Sequence, residues 1–402
     1  MEAVKQVRTA SVYKGDRLAA TLARTDAGVR FSYVEAYLDD LGPAVAFTLP
    51  LSEQPVVTTA GAVPAFFAGL LPEGRRLSSL RRAVKTSADD ELSLLLAVGG
   101  DPVGDVRVLP EAAKEVSVEP LVQVRKSFSE VAFSDVFGEA GIVDRVAIAG
   151  VQDKASARML SLPIVQSGRR YILKVDPPEY PHLVENEAYF IGLAVRSRFP
   201  VVSASLVHDV TGRPGLLVER FDRVSTPAGG TLSRAVEDAA QALGVYPADK
   251  YNLTSEQVIT RLAGLCPARP VAVRDLYRQF CFAWLTGNGD LHAKNVSVLN
   301  VDGEWRVAPA YDVPSTLPYN DRTMALGIGG KTSGLSRRLL VEFGARVGLN
   351  HGAATRVLDQ TLAATETLEQ EWSAGSSPFG PAVVRDVLRV LRFRRRAVSA
   401  VL

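Results

Sequence analysis

The sequence is poor in the residue types that staple, anchor or ligate. Among 402 residues there are two cysteines, three tryptophans, three methionines and four histidines. Cys266 and Cys281 sit in helical-looking or loop-flanking sequence. They read as reduced, packed thiols rather than a disulfide or a metal site, as expected in a reducing compartment. No apolar run reaches the roughly 18 residues that a membrane span needs. The first residues, MEAVKQVRTASV, lack the apolar core of a signal peptide. A cytoplasmic protein without membrane contact is expected. A dominant charge is also missing, since 46 Lys and Arg against 44 Asp and Glu leave +2. That balance lacks the basic excess typical of nucleic-acid binders, although a local basic patch is compatible with it. Neither an internal repeat nor a low-complexity tract is present.

What is there is ordinary globular material, 47% hydrophobic and 22% charged, enough for two or three packed units. Residues 4–50 alternate apolar and polar positions between turns at Lys14-Gly15-Asp16 and Asp26-Ala27-Gly28, which is hairpin patterning. Pro64–Gly74 predicts a short helix and turn, followed by Arg75, Arg76, Arg81 and Arg82. Asp89, Asp90 and Glu91 open another helix, where the dipole favours acids. A strand follows over Val106–Leu109. This is a compact α+β unit over 1–112, with residues 110–119 as its exit linker.

From Val143 the pattern changes. Strands are expected over 145–149, 157–162, 171–175, 204–210 and 216–221, with one helix, 184–198, inserted among them. After Asp222 helices dominate, over 235–244, 254–264, 273–285, 335–343 and 353–374, and a basic helix over 379–402 carries Arg385, Arg389, Arg392 and Arg394–Arg396. The units are therefore 1–112, 113–222 and 223–402. The fold class is α+β: a two-lobed, protein-kinase-like fold with a small β-rich N-lobe, a helical C-lobe and an extra N-terminal subdomain.

The chemistry concentrates at Leu285–Asn295 (LTGNGDLHAKN), followed by a strand from Val296 and then Ala310-Tyr311-Asp312. An acid five residues before an Asn, with a second acid past a strand, is how a phosphotransferase builds a base and a Mg²⁺ site. Asp290 is the candidate base. Asn295 offers an amide oxygen, and Asp312 the hard anionic ligand that Mg²⁺ prefers. His292 is assigned a positioning role, and Lys294 neutralises charge on the transferred phosphate. Upstream, Gly150–Ser156 is a turn with a single glycine, weak by itself as a phosphate loop. Lys174 ends a strand and is followed by an acid-bearing helix, the order in which kinases place a phosphate-binding lysine and its glutamate. Glu187 is the chosen partner, since Glu185 would point to another face. Leu217–Phe221 fits an interlobe hinge, with Phe221 lining an adenine pocket, and fits a plain buried strand equally well. Ala325–Thr332 nearly matches a Walker A loop, but Ala325 replaces the first glycine and Gly334 follows too soon for a helix. An activation-segment or peptide-binding role suits it better.

Gly150–Lys154, Tyr171–Lys174, Val218–Asp222, Glu237-Asp238 with Lys250-Tyr251, Gly287–Asn295 and Ala310–Asp312 together resemble the HipA family of Ser/Thr kinase toxins from type II toxin–antitoxin modules. Phe66–Gly74 (FFAGLLPEG) resembles the signature of that family's N-terminal subdomain. The resemblance implies an ATP- and Mg²⁺-dependent kinase with Asp290 as base, Asn295 and Asp312 on Mg²⁺, and Lys174 on the ATP phosphates. It further implies that Ala149, Gly150, Val151, Gln152, Asp153 and Lys154 form the phosphate loop. Glu219, Arg220 and Phe221 would contact adenine, and Tyr311 would neighbour the nucleotide. The implied partners are a small helix-turn-helix antitoxin, HipB, operator DNA mainly through that antitoxin, and an aminoacyl-tRNA synthetase as phosphorylated substrate, with growth arrest or persistence as the outcome. One departure stands out. Where the best-known branch has an autophosphorylated serine, this chain has Ala147; Ser134, Ser156 and Ser161 are the nearby hydroxyls.

Two rival readings use the same residues. A small-molecule kinase of the aminoglycoside or choline type also employs an Asp base, an Asn and a later Asp, but leaves residues 1–110 without a purpose. A catalytically inert co-repressor bound to an antitoxin and DNA would use the basic terminal helix, but leaves a complete catalytic set idle.

Overall fold

The computed structural model describes residues 2–111, 123–124, 127–139, 159–177, 179–226 and 230–399. The N-terminal unit forms where alternation predicts it. Strands β1 (Thr9–Lys14), β2 (Arg17–Thr25) and β3 (Gly28–Tyr33) make an antiparallel meander. Helix α1 (Glu35–Asp39) leads to the edge strand β4 (Val56–Thr59). Three short helices follow, α2 (Ala65–Gly69), α3 (Gly74–Val84) and α4 (Glu91–Val98), before β5 (Val106–Pro110) closes the sheet in the order β4-β3-β2-β1-β5. At Gly28, φ is +146° and an added Cβ would lie 1.9 Å from the Thr58 carbonyl oxygen, so the β3–β4 pairing requires glycine there. Asp90 caps α4 by accepting the Ser93 N–H. Val12, Leu22, Phe31, Phe67 and Leu95 fill the unit's own core.

Helix α5 (Phe133–Glu139) covers one face of a second sheet. That sheet comprises β6 (Leu160–Gln166), β7 (Arg169–Val175), β8 (Ala204–His208) and β9 (Pro214–Glu219), all antiparallel, in the order β6-β7-β9-β8. The β6–β7 hairpin turns at Ser167 (φ +51°) and Gly168 (φ +76°), the two positive angles that match strand twist. Helix α6 (Leu183–Arg196) lies on the opposite face, its first turn fixed by Asp176, which accepts the His182 and Val184 N–H groups.

The third unit is built on α9 (Arg269–Thr286), whose buried Leu276, Phe280 and Trp284 run through the largest core. The two-stranded pair β10 (Arg223–Ser225) and β11 (Thr231–Ser233) precedes a small sheet of β12 (Val236–Asp238), β13 (Ser297–Val301) and β14 (Glu304–Val307). Around them pack α7 (Ala239–Leu243), α8 (Ser255–Leu265), α10 (Arg337–Arg346), α11 (His351–Ala364), α12 (Leu368–Ser373) and α13 (Pro381–Ser399).

Several expectations need correction. The helix expected over 235–244 begins as strand β12, because Val236–Asp238 pairs with Ser297–Leu299, and α7 starts only after Asp238 caps it in a reciprocal box with Gln241. The helix expected over 353–374 breaks after Ala364. There the Thr361 and Thr365 hydroxyls bond back to the Val357 and Thr361 carbonyls, and Arg395 takes the Leu362 carbonyl. The terminal helix is basic but not uniformly solvated: Arg394 is buried over the Trp284 ring, 3.9 Å from its centroid, and donates to the Trp284 carbonyl. Residues 325–332 form a tight turn in which Ile328 and Lys331 pair, and no helix begins before Arg337. Gly329 donates to Glu256 on α8, so the turn is fastened to the C-lobe surface.

Candidate active site

Helix α9 stops at Gly287, in the left-handed region at φ +76°, where an added Cβ would approach Leu317 to 2.4 Å. The loop that follows is pinned along its length. Asn288 accepts the Asp290 N–H (2.9 Å) and donates its amide to the Asp312 carbonyl (3.3 Å). Asn295 donates to the Asp290 carbonyl (2.9 Å), leaving Oδ1 as its acceptor end. The Asp290 carboxylate is buried; Tyr251 donates its hydroxyl to Oδ1 at 3.3 Å, and His292 Nε2 lies 3.9 Å from the same oxygen. The Tyr251 and His292 rings meet edge to face.

Lys174, near the end of β7, reaches Glu187 on α6 at 2.8 and 2.9 Å and also contacts the Asp312 carboxylate. Glu185 faces elsewhere, on His182 Nδ1 at 2.5 Å. Burial opposes the Lys174 ammonium, but Asp312 and Glu187 outweigh it and hold the lysine protonated above its ordinary range. For Glu187, burial dominates: it pushes the carboxyl up to about 7, with Lys174 pulling down and Asp312 pushing further up. Two carboxyl groups therefore share one ammonium, and of the two only Asp312 lines the cavity. Asp312 itself has φ +53°, a strained conformation for a non-glycine residue. Its neighbour Tyr311 is tied to the loop that bears Asp290 and Asn295, donating to the Lys294 carbonyl (2.8 Å) and contacting the Ser297 hydroxyl.

Between the lobes lies a cavity of about 340 Å³. Ile172, Val218, Phe221 and Tyr311 line its apolar side, and Lys174 and Asp312 its charged end. The Phe221 and Tyr311 rings stack at 5.6 Å. A more open hollow of about 390 Å³ lies behind residues 219–223, but Lys174 and Asp312 do not reach it. Among the described residues no group of three or more His, Cys, Asp or Glu is arranged to hold a metal. Of the two expected Mg²⁺ ligands Asp312 lines the cavity and Asn295 does not; a carboxylate and an amide oxygen are the kind of donors that suit Mg²⁺, which takes few protein ligands and draws the rest from substrate and water.

The comparisons with known proteins decide the lineage. A model described as the HipA-like C-terminal domain matches residues 146–370, and one described as the HipA N-terminal domain matches residues 10–109. The first alone covers more than half of the chain. This chain belongs to the HipA family. Two proteins of Sinorhizobium fredii, Y4mE and Y4dM, both named as candidate kinases, are 30% and 29% identical to it. The alignments cover 81% and 90% of this chain and 82% and 90% of theirs. The Serine/threonine-protein kinase toxin HipA of Shewanella oneidensis is 29% identical over 65% of each chain. The Shewanella oneidensis MR-1 HipA structure, solved with HipB and operator DNA, superposes with a TM-score of 0.77 at 20% identity, covering 98% of this chain and 100% of that one. The fold is the kinase-like α+β fold of that protein. Among the described residues no helix is long and apolar enough to cross a membrane.

In this HipA-family chain the two lobes are not the cavity's only walls. The N-terminal unit supplies Leu70, Pro72, Arg76 and Asp101–Val103 to its lining. Arg220, expected beside adenine, also lines the cavity, but its guanidinium is committed to Asp101 (3.0 Å) and Asp222 (2.8 Å) and its N–H to the Arg170 carbonyl. The Glu219 N–H goes to the Ser203 carbonyl and its carboxylate lies 3.6 Å from Arg169, while the Phe221 ring lines the cavity. Lys294 lines the cavity too, yet its ammonium is bonded to the Gly69 carbonyl (2.7 Å) and Asp238 (3.1 Å). Ala149–Lys154, Ala147 and Ser156 lie outside the described residues. Ser161 lines the cavity opposite Lys174 in the β6–β7 register, and Ser134 is exposed on α5. Sequence reasoning assigned no role to Asn288, Tyr251, Asp238 or Asp101. Asn288 stands within the motif string and Tyr251 within the quoted Lys250-Tyr251 pair, whereas nothing local marks Asp101.

Proposed function

We propose that this chain is an ATP-dependent Ser/Thr protein kinase acting as the toxin of a HipBA-like module. The observation that carries the reading is the convergence of Lys174, Glu187 and Asp312 at one end of the interlobe cavity, with Asn288 fastening Asp312 to the loop that bears Asp290 and Asn295. Lys174 contacts the ATP phosphates, Ala149–Lys154 are assigned to phosphate binding from the sequence alone, and Phe221 and Tyr311 hold the base. Asn295 and Asp312 would hold Mg²⁺, which would neutralise charge on the phosphates. Asp290 orients the acceptor hydroxyl and takes its proton as the γ-phosphoryl group leaves ADP and bonds to that oxygen. His292 keeps Asp290 in place, and Lys294 anchors the loop rather than meeting phosphate.

A helix-turn-helix antitoxin is the proposed partner, supported by the superposition on a HipA solved with HipB and operator DNA. A translation component such as an aminoacyl-tRNA synthetase is the proposed acceptor, and the cytoplasm the proposed compartment. The N-terminal wall of the cavity favours this over a small-molecule kinase, because it gives residues 1–110 a purpose. The test is incubation with γ-labelled ATP, Mg²⁺ and host lysate: one dominant labelled protein, lost with Asp290→Asn, supports the reading. Transfer to sugars or amines instead, or growth arrest undiminished in Asp290→Asn, overturns it.

A further inference from the structure

The segment Phe66–Gly74 of the N-terminal unit touches the catalytic machinery at three points. The Gly69 carbonyl accepts from Lys294, inside the catalytic loop. The Phe66 carbonyl accepts from Gln241, whose main-chain N–H is capped by Asp238, the partner of Lys294. Glu73 binds Lys250 at 2.6 Å, and the Lys250 ammonium lies 5.2 Å from the centroid of the Tyr251 ring. Tyr251 donates to Asp290 Oδ1, while the Lys250 carbonyl accepts the Ala293 N–H next to His292. A continuous path of contacts therefore runs from Glu73 through Lys250 and Tyr251 to the candidate base, a route that neither lobe contains by itself.

The physical consequence is orientation. An Asp that must accept a hydroxyl proton has two oxygens and a rotatable χ2. A donor on Oδ1 fixes the plane of the carboxylate and so the direction in which Oδ2 presents its lone pairs. A tyrosine ring has few rotamers, and it is clamped here by His292 at its edge and by the Lys250 ammonium near its ring. Glu73 fixes that ammonium. We propose that Tyr251 is a positioning residue for Asp290, and that Glu73 makes the N-terminal unit a working part of the catalytic site through Lys250. This rests on the kinase reading above.

The experiment uses the full chain with γ-labelled Mg-ATP and host lysate, measuring kcat and KM for ATP together with binding of a fluorescent ATP analogue. Tyr251→Phe and Glu73→Gln should each lower kcat roughly 10- to 100-fold, the scale of a small misplacement of a catalytic group. KM for ATP and analogue binding should stay within about twofold, because neither residue lines the interlobe cavity. The double variant should be little slower than Tyr251→Phe alone, since both changes act on one oxygen. Lys250→Arg, which keeps a cation for both the Glu73 carboxylate and the Tyr251 ring, should retain most of the activity, whereas Lys250→Met should lose as much as Glu73→Gln, and this pair keeps the test open if Tyr251→Phe folds poorly. A kcat untouched by Glu73→Gln, a double variant whose losses multiply, or losses matched by weaker analogue binding would overturn the proposal. Asp290→Asn, run in parallel, separates the two ideas. If it keeps transferring phosphate the kinase reading fails, whereas if it alone is inactive only the positioning role fails.

Discussion

Lys174 keeps its charge in a place where burial alone would strip it, because two carboxylates face it. Removing the ammonium leaves Glu187 and Asp312 repelling each other, so Lys174→Ala should weaken both ATP binding and phosphoryl transfer. Asp290→Asn should instead leave binding of a fluorescent ATP analogue largely intact while transfer falls roughly 10²- to 10⁴-fold, about 3–5 kcal/mol of barrier. Residues 143–151 contain no hydroxyl, so phosphopeptide mapping after incubation with Mg-ATP should find that stretch unmodified. The pairing of Lys174 with Glu187 rather than Glu185 was legible, because helical spacing separates positions two apart by more than half a turn. The commitments of Arg220 and Lys294 were not legible. Besides the nearer Asp222 and Asp238, they bond to Asp101 and Gly69, which stand more than a hundred positions away and belong to another unit.

Elements follow local pattern until pairing overrides it. Helix α9, the meander β1–β3 and the inserted helix α6 appear where periodicity places them, since each buries an apolar face that the pattern already marks. Strand β12 is different. Ala235–Gly244 reads as helix by composition, yet three of its residues gain ladder bonds to β13, and a three-residue strand carries no signal of its own. The stop at Gly287 decides where the catalytic loop begins. Gly287→Ala should cost roughly 1–3 kcal/mol by urea unfolding, from left-handed strain and the approach to Leu317, with a fall in transfer larger than the fall in stability explains.

Across the whole molecule, the joint between the N-terminal unit and the C-lobe holds buried charge. Glu237 accepts the Phe47 N–H across this joint at 2.9 Å, while its Oε2 is buried without a hydrogen bond. Burial, with Asp238 adding to it and Lys14 and Arg261 opposing, pushes its carboxyl up to about 7. The folded chain therefore holds this proton between about pH 4.5 and 7, where the unfolded chain releases it, so stability falls as pH rises through that window. Glu237→Gln should flatten this part of the stability profile by on the order of 1–3 kcal/mol, read from urea midpoints at pH 5 and pH 8. Asp101 ties the N-terminal unit to Arg170 and Arg220 of the N-lobe and to Arg223 at the start of the C-lobe. Asp101→Asn leaves these cations with too few partners, and should cost on the order of 3 kcal/mol in the same measurement.

The sequence by itself determined the family and the fold class, and it marked the residues on which the proposed chemistry rests. An acid, an amide and a second acid at fixed spacing are a local statement, and so is a lysine that ends a strand ahead of an acidic helix. Only the tertiary structure decided that residues 66–103 wall the cavity and reach the catalytic loop. Those contacts join positions 175 to 225 apart through carbonyls and single side chains, and neither has a period or a spacing that a linear pattern can display.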